Sequence, residues 1–254
     1  MARYQVILAY DGTNFKGFQR QASSARSRTI QGTVETALSR LGWQGRSVLY
    51  AGRTDTGVHA YGQVIAFDLV WNHSLDELQA AFNATLPPDI VVREIHLADP
   101  CFHPRYDAVA RKYQYRLFCQ PIRDPFRERY AWRVWPEVVS NEIQQVALHL
   151  IGSYDFSSFG VPTRVGGTTV RNVMKAEWRK EDDTYTFEIV ADAFLYHMVR
   201  RLVSFQVSVG QGRLNPEAIL ECLNRRSPSL VKGIAPSQGL VLMEVIYPKK
   251  EYNK

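Results

Sequence analysis

The chain has 254 residues, of which 45% are hydrophobic and 22% charged, a composition typical of a globular protein with one large domain or two ordinary ones. It contains no run of about 18 apolar residues, which excludes a predicted membrane-spanning helix. The three cysteines and six histidines show no metal-ligand spacing, so we expect no metal site, and the net charge of +6 favours an acidic partner.

The amino terminus leads directly into an alternating strand pattern over 3–10, without the apolar segment of a signal peptide. Together with the scattered cysteines, this start predicts a protein of the reducing cytoplasm. A glycine-containing basic loop with Lys16 and Arg20 follows, and as an isolated pattern it favours a plain surface turn. Thr29 is then placed to cap a helix over 30–41, one face of which is apolar.

The most informative segment is the nonapeptide 52–60, Gly-Arg-Thr-Asp-Thr-Gly-Val-His-Ala, which precedes an alternating strand. Asp55 is predicted to lie on a loop between two strands, where Gly52 and Gly57 allow backbone angles that a side chain forbids. Arg53 can lean over the carboxylate and hold it ionised. An isolated Arg-Thr-Asp most often marks a loop aspartate paired with an arginine, but the complete nonapeptide favours a catalytic role for Asp55.

Ser74 and Glu77 form a capping-box pattern for a helix that runs to about residue 84, where a Leu-Pro-Pro sequence ends it. A strand over 90–97 follows. Counting the strand predicted over 63–69 and the short apolar run before the nonapeptide, the order is strand, helix, strand, strand, helix, strand. This is the order of a ferredoxin-like fold, and we expect it to occupy residues 1–103.

The second half, 104–254, begins with a long strand over 109–119. The elements predicted after it are, in chain order, a short strand over 130–134, a helix over 137–150, a Gly/Ser/Thr/Pro-rich stretch without clear period, a hairpin of strands over 172–179 and 184–191, a helix over 197–209, a helix beginning at Asn215 and a closing strand over 240–247. This half repeats the first with insertions. The sequence therefore predicts an α+β protein of two ferredoxin-like halves, with their sheets joined across a central basic cleft.

Residues 105–133 hold eight Lys or Arg residues against three acids, together with seven aromatic residues. Cations interleaved with rings suit a phosphate backbone and an unstacked base, although Arg stems packed on rings of a solvated face would give the same composition. Alternation along the predicted strand places Tyr113 and Tyr115 on one face. We predict Arg111 and Arg116, on the same strand, as RNA contacts.

Four segments together match the pattern of a known family: the basic loop over 10–21, the nonapeptide over 52–60, the strand sequence Ala-Arg-Lys-Tyr-Gln-Tyr-Arg over 110–116, and the helix sequence Phe-Leu-Tyr-His-Met-Val-Arg-Arg over 194–201. They resemble the motifs of the TruA-type tRNA pseudouridine synthases, and the resemblance extends over nearly the whole chain. The chain departs from the usual pattern at Thr56, where the family has Ala, but it keeps the Arg, the Asp and both glycines.

The resemblance implies isomerisation of uridine to pseudouridine in the anticodon arm of tRNA, at positions 38, 39 and 40, by a homodimer. It implies that Asp55 is the nucleophile, that Arg53 takes the place of the flipped base or holds its backbone, that Tyr113 contacts the base, and that Arg200 pairs with Asp55. It also implies that Lys16 and Arg20 of the basic loop contact phosphates of the RNA. The reaction needs no cofactor, and we expect neither a nucleotide cofactor nor a membrane partner.

Two alternatives stay open at this point. A noncatalytic RNA-binding or RNA-folding module would use the same basic and aromatic strand but would not need Asp55. A pseudouridine synthase of another RNA would need all the same residues, because phosphate contacts do not encode the identity of the RNA.

Overall fold

The computed structural model of the chain describes residues 1–21, 27–163, 166–225 and 227–248. The chain divides into two compact units. The first unit is Met1–Val109 together with the segment that begins at Val241, and the second is Ala110–Leu240. The closing strand therefore belongs to the first unit, whereas the sequence predicted a second half that included it. The reason is a long-range strand pairing in the first unit, which alternation along a chain does not reveal.

The strands are β1 (Ala2–Tyr10), β2 (Leu49–Tyr50), β3 (His59–Leu69), β4 (Ile90–Ala98), β5 (Ala110–Cys119), β6 (Trp132–Val134), β7 (Gly152–Asp155), β8 (Val170–Glu181), β9 (Thr184–Ala191) and β10 (Leu240–Ile246). The helices are α1 (Ile30–Arg40), α2 (Leu75–Thr85), α3 (Ser140–His149), α4 (Met198–Gly210) and α5 (Ala218–Arg225). These elements confirm the predicted α+β class.

The first unit has the predicted ferredoxin-like element order. Its strands pair in the order β4, β1, β3, β2, and all of these pairs are antiparallel. β2 pairs with β3 only at Ile65 and Ala66, past the middle of the strand, while β10 pairs in parallel with the start of β3, at His59 and Ala60. α2 packs against β4 and contacts α1. The Asp55 loop, which joins β2 to β3, is thus anchored at both ends in this sheet.

Both helices of the first unit begin where their capping residues predict. The Thr29 side chain accepts a hydrogen bond from the Gly32 N–H at the start of α1. Ser74 and Glu77 form the complete capping box of α2, in which each side chain accepts from the other residue's backbone N–H. These contacts satisfy N–H groups that have no partner inside a helix.

The second unit contains a sheet in the order β5, β9, β8, β7, with antiparallel pairs throughout, and β6 pairs in parallel with β5. The β8–β9 hairpin turns through Asp182, which has a φ of +54°. α3 packs on β8 and on α4. β7 was not predicted, because a strand of four residues is too short to show an alternating pattern. Within the part of the chain that the structure describes, no helix has the length and apolar character needed to cross a membrane.

Candidate active site

Asp55 lies on the loop between β2 and β3, where it is half-buried. The loop ends in a turn in which the Val58 N–H donates to the Asp55 carbonyl over 3.1 Å. Gly57 has a φ of +76°, a left-handed conformation that favours glycine. Gly52 has no such φ, and a Cβ there would meet no atom within 4 Å. The prediction of a special backbone requirement is therefore confirmed for Gly57 and wrong for Gly52.

The loop that follows β1, residues 11–18, packs directly on the Asp55 loop. A Cβ on Gly12 would lie 2.0 Å from the carbonyl oxygen of Val58. Gly17 has a φ of +84°, and a Cβ there would lie 2.9 Å from the carbonyl oxygen of Thr54. Contacts this short between backbone atoms leave no room for a side chain, so the approach of the two loops depends on these two glycines.

Backbone hydrogen bonds join the same two loops. The Phe18 N–H donates to the Thr54 carbonyl over 3.0 Å, and the Gly57 N–H donates to the Phe15 carbonyl over 3.4 Å. Phe15 and Phe18 are both fully buried. The backbone on each side of Asp55 is therefore tied to a buried part of the first unit.

Three buried polar side chains lie beneath the Asp55 loop. The hydroxyls of Tyr10 and Thr54 are 2.8 Å apart. The Gln63 amide donates to the Gly52 carbonyl over 2.9 Å and contacts the Tyr10 hydroxyl over 3.4 Å. Burial raises the pKa of Tyr10, and the hydrogen bonds with Thr54 and Gln63 lower it in part, so that the pKa is about 12 and the hydroxyl stays protonated at neutral pH.

Sequence reasoning missed these three residues. The available signal was Gln63, which shares its strand face with the buried side chains of Ile65 and Phe67. An amide in such a register position must have a buried partner, because an unpaired buried polar group is costly. Alternation along β3 therefore indicated a buried polar contact at this point, but it did not identify Tyr10 and Thr54 as its members.

Arg53 is exposed, and its Nε donates to the Tyr50 hydroxyl over 3.3 Å. The expectation that Arg53 leans over the Asp55 carboxylate stays a prediction.

The two predicted basic contacts of the first unit differ in their surroundings. Lys16 is exposed on the loop that packs on the Asp55 loop. Arg20 lies farther along, where its Nε is 3.0 Å from the buried carboxylate of Glu35 and its Nη2 donates to the Arg46 carbonyl. Arg20 and Arg46 line an open groove of about 940 Å³ beside α1, and Asp55 is not part of its lining.

Tyr113 and Arg200 lie in the second unit. The half-buried ring of Tyr113 packs edge-on against Phe194, with 5.0 Å between ring centroids. Arg200 follows the buried residues Met198 and Val199 near the start of α4, and its Nε donates to the Ala235 carbonyl over 2.7 Å. The Ala235 N–H in turn donates to the Arg200 carbonyl, so backbone and side chain of Arg200 are both fixed within this unit.

Arg111 and Arg116 lie on opposite faces of β5. The pairing of β5 with β9 has no bulge, so Arg111 shares the face of Tyr113, while Arg116 shares the face of Lys112. The Nη1 of Arg111 donates to the Asp192 carbonyl over 2.8 Å. Arg116 is exposed. These two arginines, which the sequence treated as one group, are therefore on different surfaces of the strand.

Many cations of the segment 105–133 are already paired within the second unit. The ion pairs are Lys112–Glu188, Arg123–Glu128, Arg127–Asp183 and Arg133–Glu128. The segment thus presents less free positive charge than its composition suggests. The described residues contain no group of three or more His, Cys, Asp or Glu side chains able to hold a metal ion.

Glu188 on β9 organises one face of this sheet. Its carboxylate has a side-chain exposure of 8% and lies 2.8 Å from Lys175 Nζ and 3.4 Å from Lys112 Nζ, and it accepts from the Gln114 amide. Burial by itself raises the pKa of Glu188. The hydrogen bonds from Lys175 and Gln114 and the charge of Lys112 outweigh burial and lower the pKa to about 2.

Comparison with known proteins gives one consistent result. A family model described as "tRNA pseudouridine synthase" matches residues 6–107 and 146–248. The chain is similar to tRNA pseudouridine synthase A of Brevibacillus brevis, with 38% identity over 97% of this chain and 100% of the relative. It is also similar to the proteins of the same name from Geobacillus kaustophilus, with 40% identity over 96% and 94%, and Moorella thermoacetica, with 38% identity over 96% and 98%.

Proposed function

The chain belongs to the tRNA pseudouridine synthase family and is an isomerase of tRNA uridines, and we propose that it acts in the anticodon arm, at positions 38, 39 and 40, with Asp55 as the nucleophile. The observation that carries the assignment of Asp55 is its loop. A half-buried carboxylate is held on a backbone that neighbouring loops and buried hydrogen bonds fix on both sides. Such a group is placed for attack without rearrangement of its support.

The reaction exchanges one bond for another within a single nucleotide. The bond between C1′ and N1 breaks, the uracil turns, and a new bond joins C1′ to C5. The C5 proton leaves and N1 gains a proton, so the product has the atoms and the oxidation state of the substrate. This chemistry requires no redox partner and no energy source, and we propose that the enzyme works without a cofactor.

The target nucleotide must leave its stack before Asp55 can reach it, which costs a few kcal/mol. We propose that Arg53, which is exposed beside Asp55, fills the vacated place or holds the flipped backbone. Tyr113 offers a ring for the displaced base, and its edge-on contact with Phe194 fixes the ring plane. We further propose Arg200 as the charged partner of Asp55 in the reaction.

Lysine and arginine side chains of both units are candidates for binding the RNA backbone. We propose phosphate contacts for Lys16, Arg20, Arg111 and Arg116, of which Lys16 lies on the loop that packs on the Asp55 loop. We further propose a symmetric homodimer, because a tRNA arm is large relative to one chain of this size. Sedimentation that shows a fully active monomer at micromolar concentration would contradict the dimer. The proposed location is the cytoplasm.

The function is tested on tRNA from a strain that lacks this protein. Because isomerisation leaves the mass unchanged, pseudouridines are detected by mass spectrometry after a pseudouridine-selective mass label. We expect the label to disappear from positions 38, 39 and 40 and to return when the gene is restored. Loss from another RNA, with the anticodon arm unchanged, would favour the alternative substrate, and no loss anywhere would favour the noncatalytic RNA-binding module.

A further inference from the structure

A chain of buried hydrogen bonds runs from β3 through β1 to the residue that precedes Asp55. Gln63 is fully buried and Tyr10 is 5% exposed. The Gln63 amide donates to the Tyr10 oxygen over 3.4 Å, and the Tyr10 hydroxyl shares a hydrogen bond with the Thr54 hydroxyl, 2.8 Å away, in which either group can be the donor. The same amide donates to the Gly52 carbonyl, so one side chain contacts both the entry to the loop and the tyrosine below it.

Thr54 connects these buried hydrogen bonds to Asp55. Its hydroxyl is bonded to Tyr10, and its carbonyl, which belongs to the peptide bond that leads into Asp55, accepts from the Phe18 N–H. Thr54 itself is 6% exposed. Both its side chain and its backbone are therefore held, which leaves the backbone of Asp55 few ways to move.

We propose that Tyr10, Thr54 and Gln63 are positioning residues that hold the Asp55 carboxylate in line with the target ribose. This inference rests on the proposed role of Asp55 as nucleophile. None of the three side chains touches the substrate. They act through the backbone of the loop, and their contribution appears in the rate of the chemical step.

The energetics favour this role over simple packing. Buried polar groups destabilise a core unless each one has a hydrogen-bond partner. Three apolar side chains would fill the same space without that free-energy cost. A fully satisfied polar chain, in contrast, has one arrangement and resists displacement. Removal of the Tyr10 hydroxyl leaves Thr54 and Gln63 without that partner. The loop then shifts to satisfy them, and a shift of about 1 Å at a reacting group can cost about 100-fold in rate.

The test compares Tyr10→Phe, Thr54→Val and Thr54→Ser with wild type in the full-length protein. We expect kcat on tRNA to fall about 10- to 100-fold in Tyr10→Phe and Thr54→Val, with KM changed less than about twofold. Thr54→Ser keeps the hydroxyl and retains kcat within about threefold. The Tyr10→Phe/Thr54→Val double variant loses no more than the slower single variant, because both changes break the same contact.

Tyr185→Phe is the matched control. Tyr185 is also buried, and its hydroxyl donates to Glu137 over 2.8 Å in the second unit. We expect this variant to lose stability and to keep its kcat. If kcat fell equally in Tyr185→Phe and Tyr10→Phe, or if the two loop variants lost rate only in proportion to their folded fraction, the positioning role would be overturned.

Asp55→Asn is assayed in parallel to distinguish failure of the positioning role from failure of the proposed function. An inactive Asp55→Asn with wild-type kcat in both Tyr10→Phe and Thr54→Val would overturn the positioning role alone. An active Asp55→Asn would overturn the proposed function. Should Tyr10→Phe not fold, the contrast between Thr54→Val and Thr54→Ser decides the question by itself.

Discussion

The Asp55 loop of the first unit and the basic segment 105–133 of the second unit both stand out in the sequence, but for different reasons. The loop is notable for its order of residues, and the structure gives that order a geometric role in Gly57 and in the neighbouring Gly12 and Gly17. The basic segment is notable for its composition, and the structure pairs much of its charge internally.

This difference shows that an ordered motif is a more reliable guide to a site than the local charge composition. A close backbone approach constrains which residue can stand at a given position, so it leaves a readable order in the chain. An ion pair requires only that two residues carry opposite charges, and these two residues can be far apart in the sequence. Arg127 is bonded to Asp183 and Lys112 lies beside Glu188, so counting charges in a local window overstates what is free for RNA.

The largest effect is expected for a substitution in the loop that packs on the Asp55 loop. In Gly12→Ala, a Cβ 2.0 Å from the Val58 carbonyl must force the two loops apart. We expect a loss of about 3 kcal/mol or more in the free energy of unfolding, measured by urea denaturation, together with a loss of most activity. Gly52→Ala is the control, since a Cβ there meets no atom within 4 Å, and it should unfold like wild type. Equal stability of all three proteins would show that the loops are not in close contact.

The next largest effect is expected for substitutions of Tyr113 on β5, which distinguish the role of its ring from that of its hydroxyl. Tyr113→Phe keeps stacking, whereas Tyr113→Leu loses both the ring face and the hydroxyl. If stacking dominates, Tyr113→Leu should lower kcat/KM by a factor that corresponds to about 1–3 kcal/mol of lost transition-state stabilisation, while Tyr113→Phe stays close to wild type. If the hydroxyl handles the C5 proton, Phe should stall after glycosidic cleavage with an unchanged melting temperature. Full activity in both variants would make Tyr113 a structural residue.

The ion pairs of the second unit are tested through Glu188→Gln, which removes the carboxylate that Lys112 and Lys175 share, while Lys175 keeps its ion pair with Glu177. We expect a loss of about 2 kcal/mol in stability at pH 7. Because the folded-state pKa of Glu188 is lowered to about 2 from 4.5, its contribution is complete above pH 4.5 and is lost as the pH falls toward 2. The stability difference from wild type should therefore shrink over that window in urea denaturation. A difference independent of pH would contradict the ion-pair assignment.

The smallest expected effect divides the two arginines that composition grouped together. Arg111→Gln and Arg116→Gln are made separately, because the two side chains lie on opposite faces of β5. An arginine that contacts one phosphate should reduce the slope of log affinity against log salt by up to about one unit when it is removed. We expect at least one of the two variants to show this change. Unchanged slopes in both would place the RNA elsewhere.

The sequence predicted the fold well where local signals exist. Thr29, Ser74 and Glu77 located the starts of α1 and α2, and alternation located the long strands. It could not show that β10 returns to pair with β3, because a parallel partner is not encoded in the strand's own pattern. For the same reason it identified Asp55 but not the support that Tyr10 and Gln63 provide from strands distant in the chain.

The most direct test of this account is the turnover of Asp55→Asn on tRNA. The substitution keeps the shape of the side chain and the backbone of the loop, so only the charge and the nucleophile are lost. We predict that pseudouridine formation vanishes, while the Kd for tRNA changes less than about tenfold, equivalent to about 1.4 kcal/mol. Measurable pseudouridine formation by a sequence-verified Asp55→Asn protein would contradict the central claim that Asp55 carries the reaction.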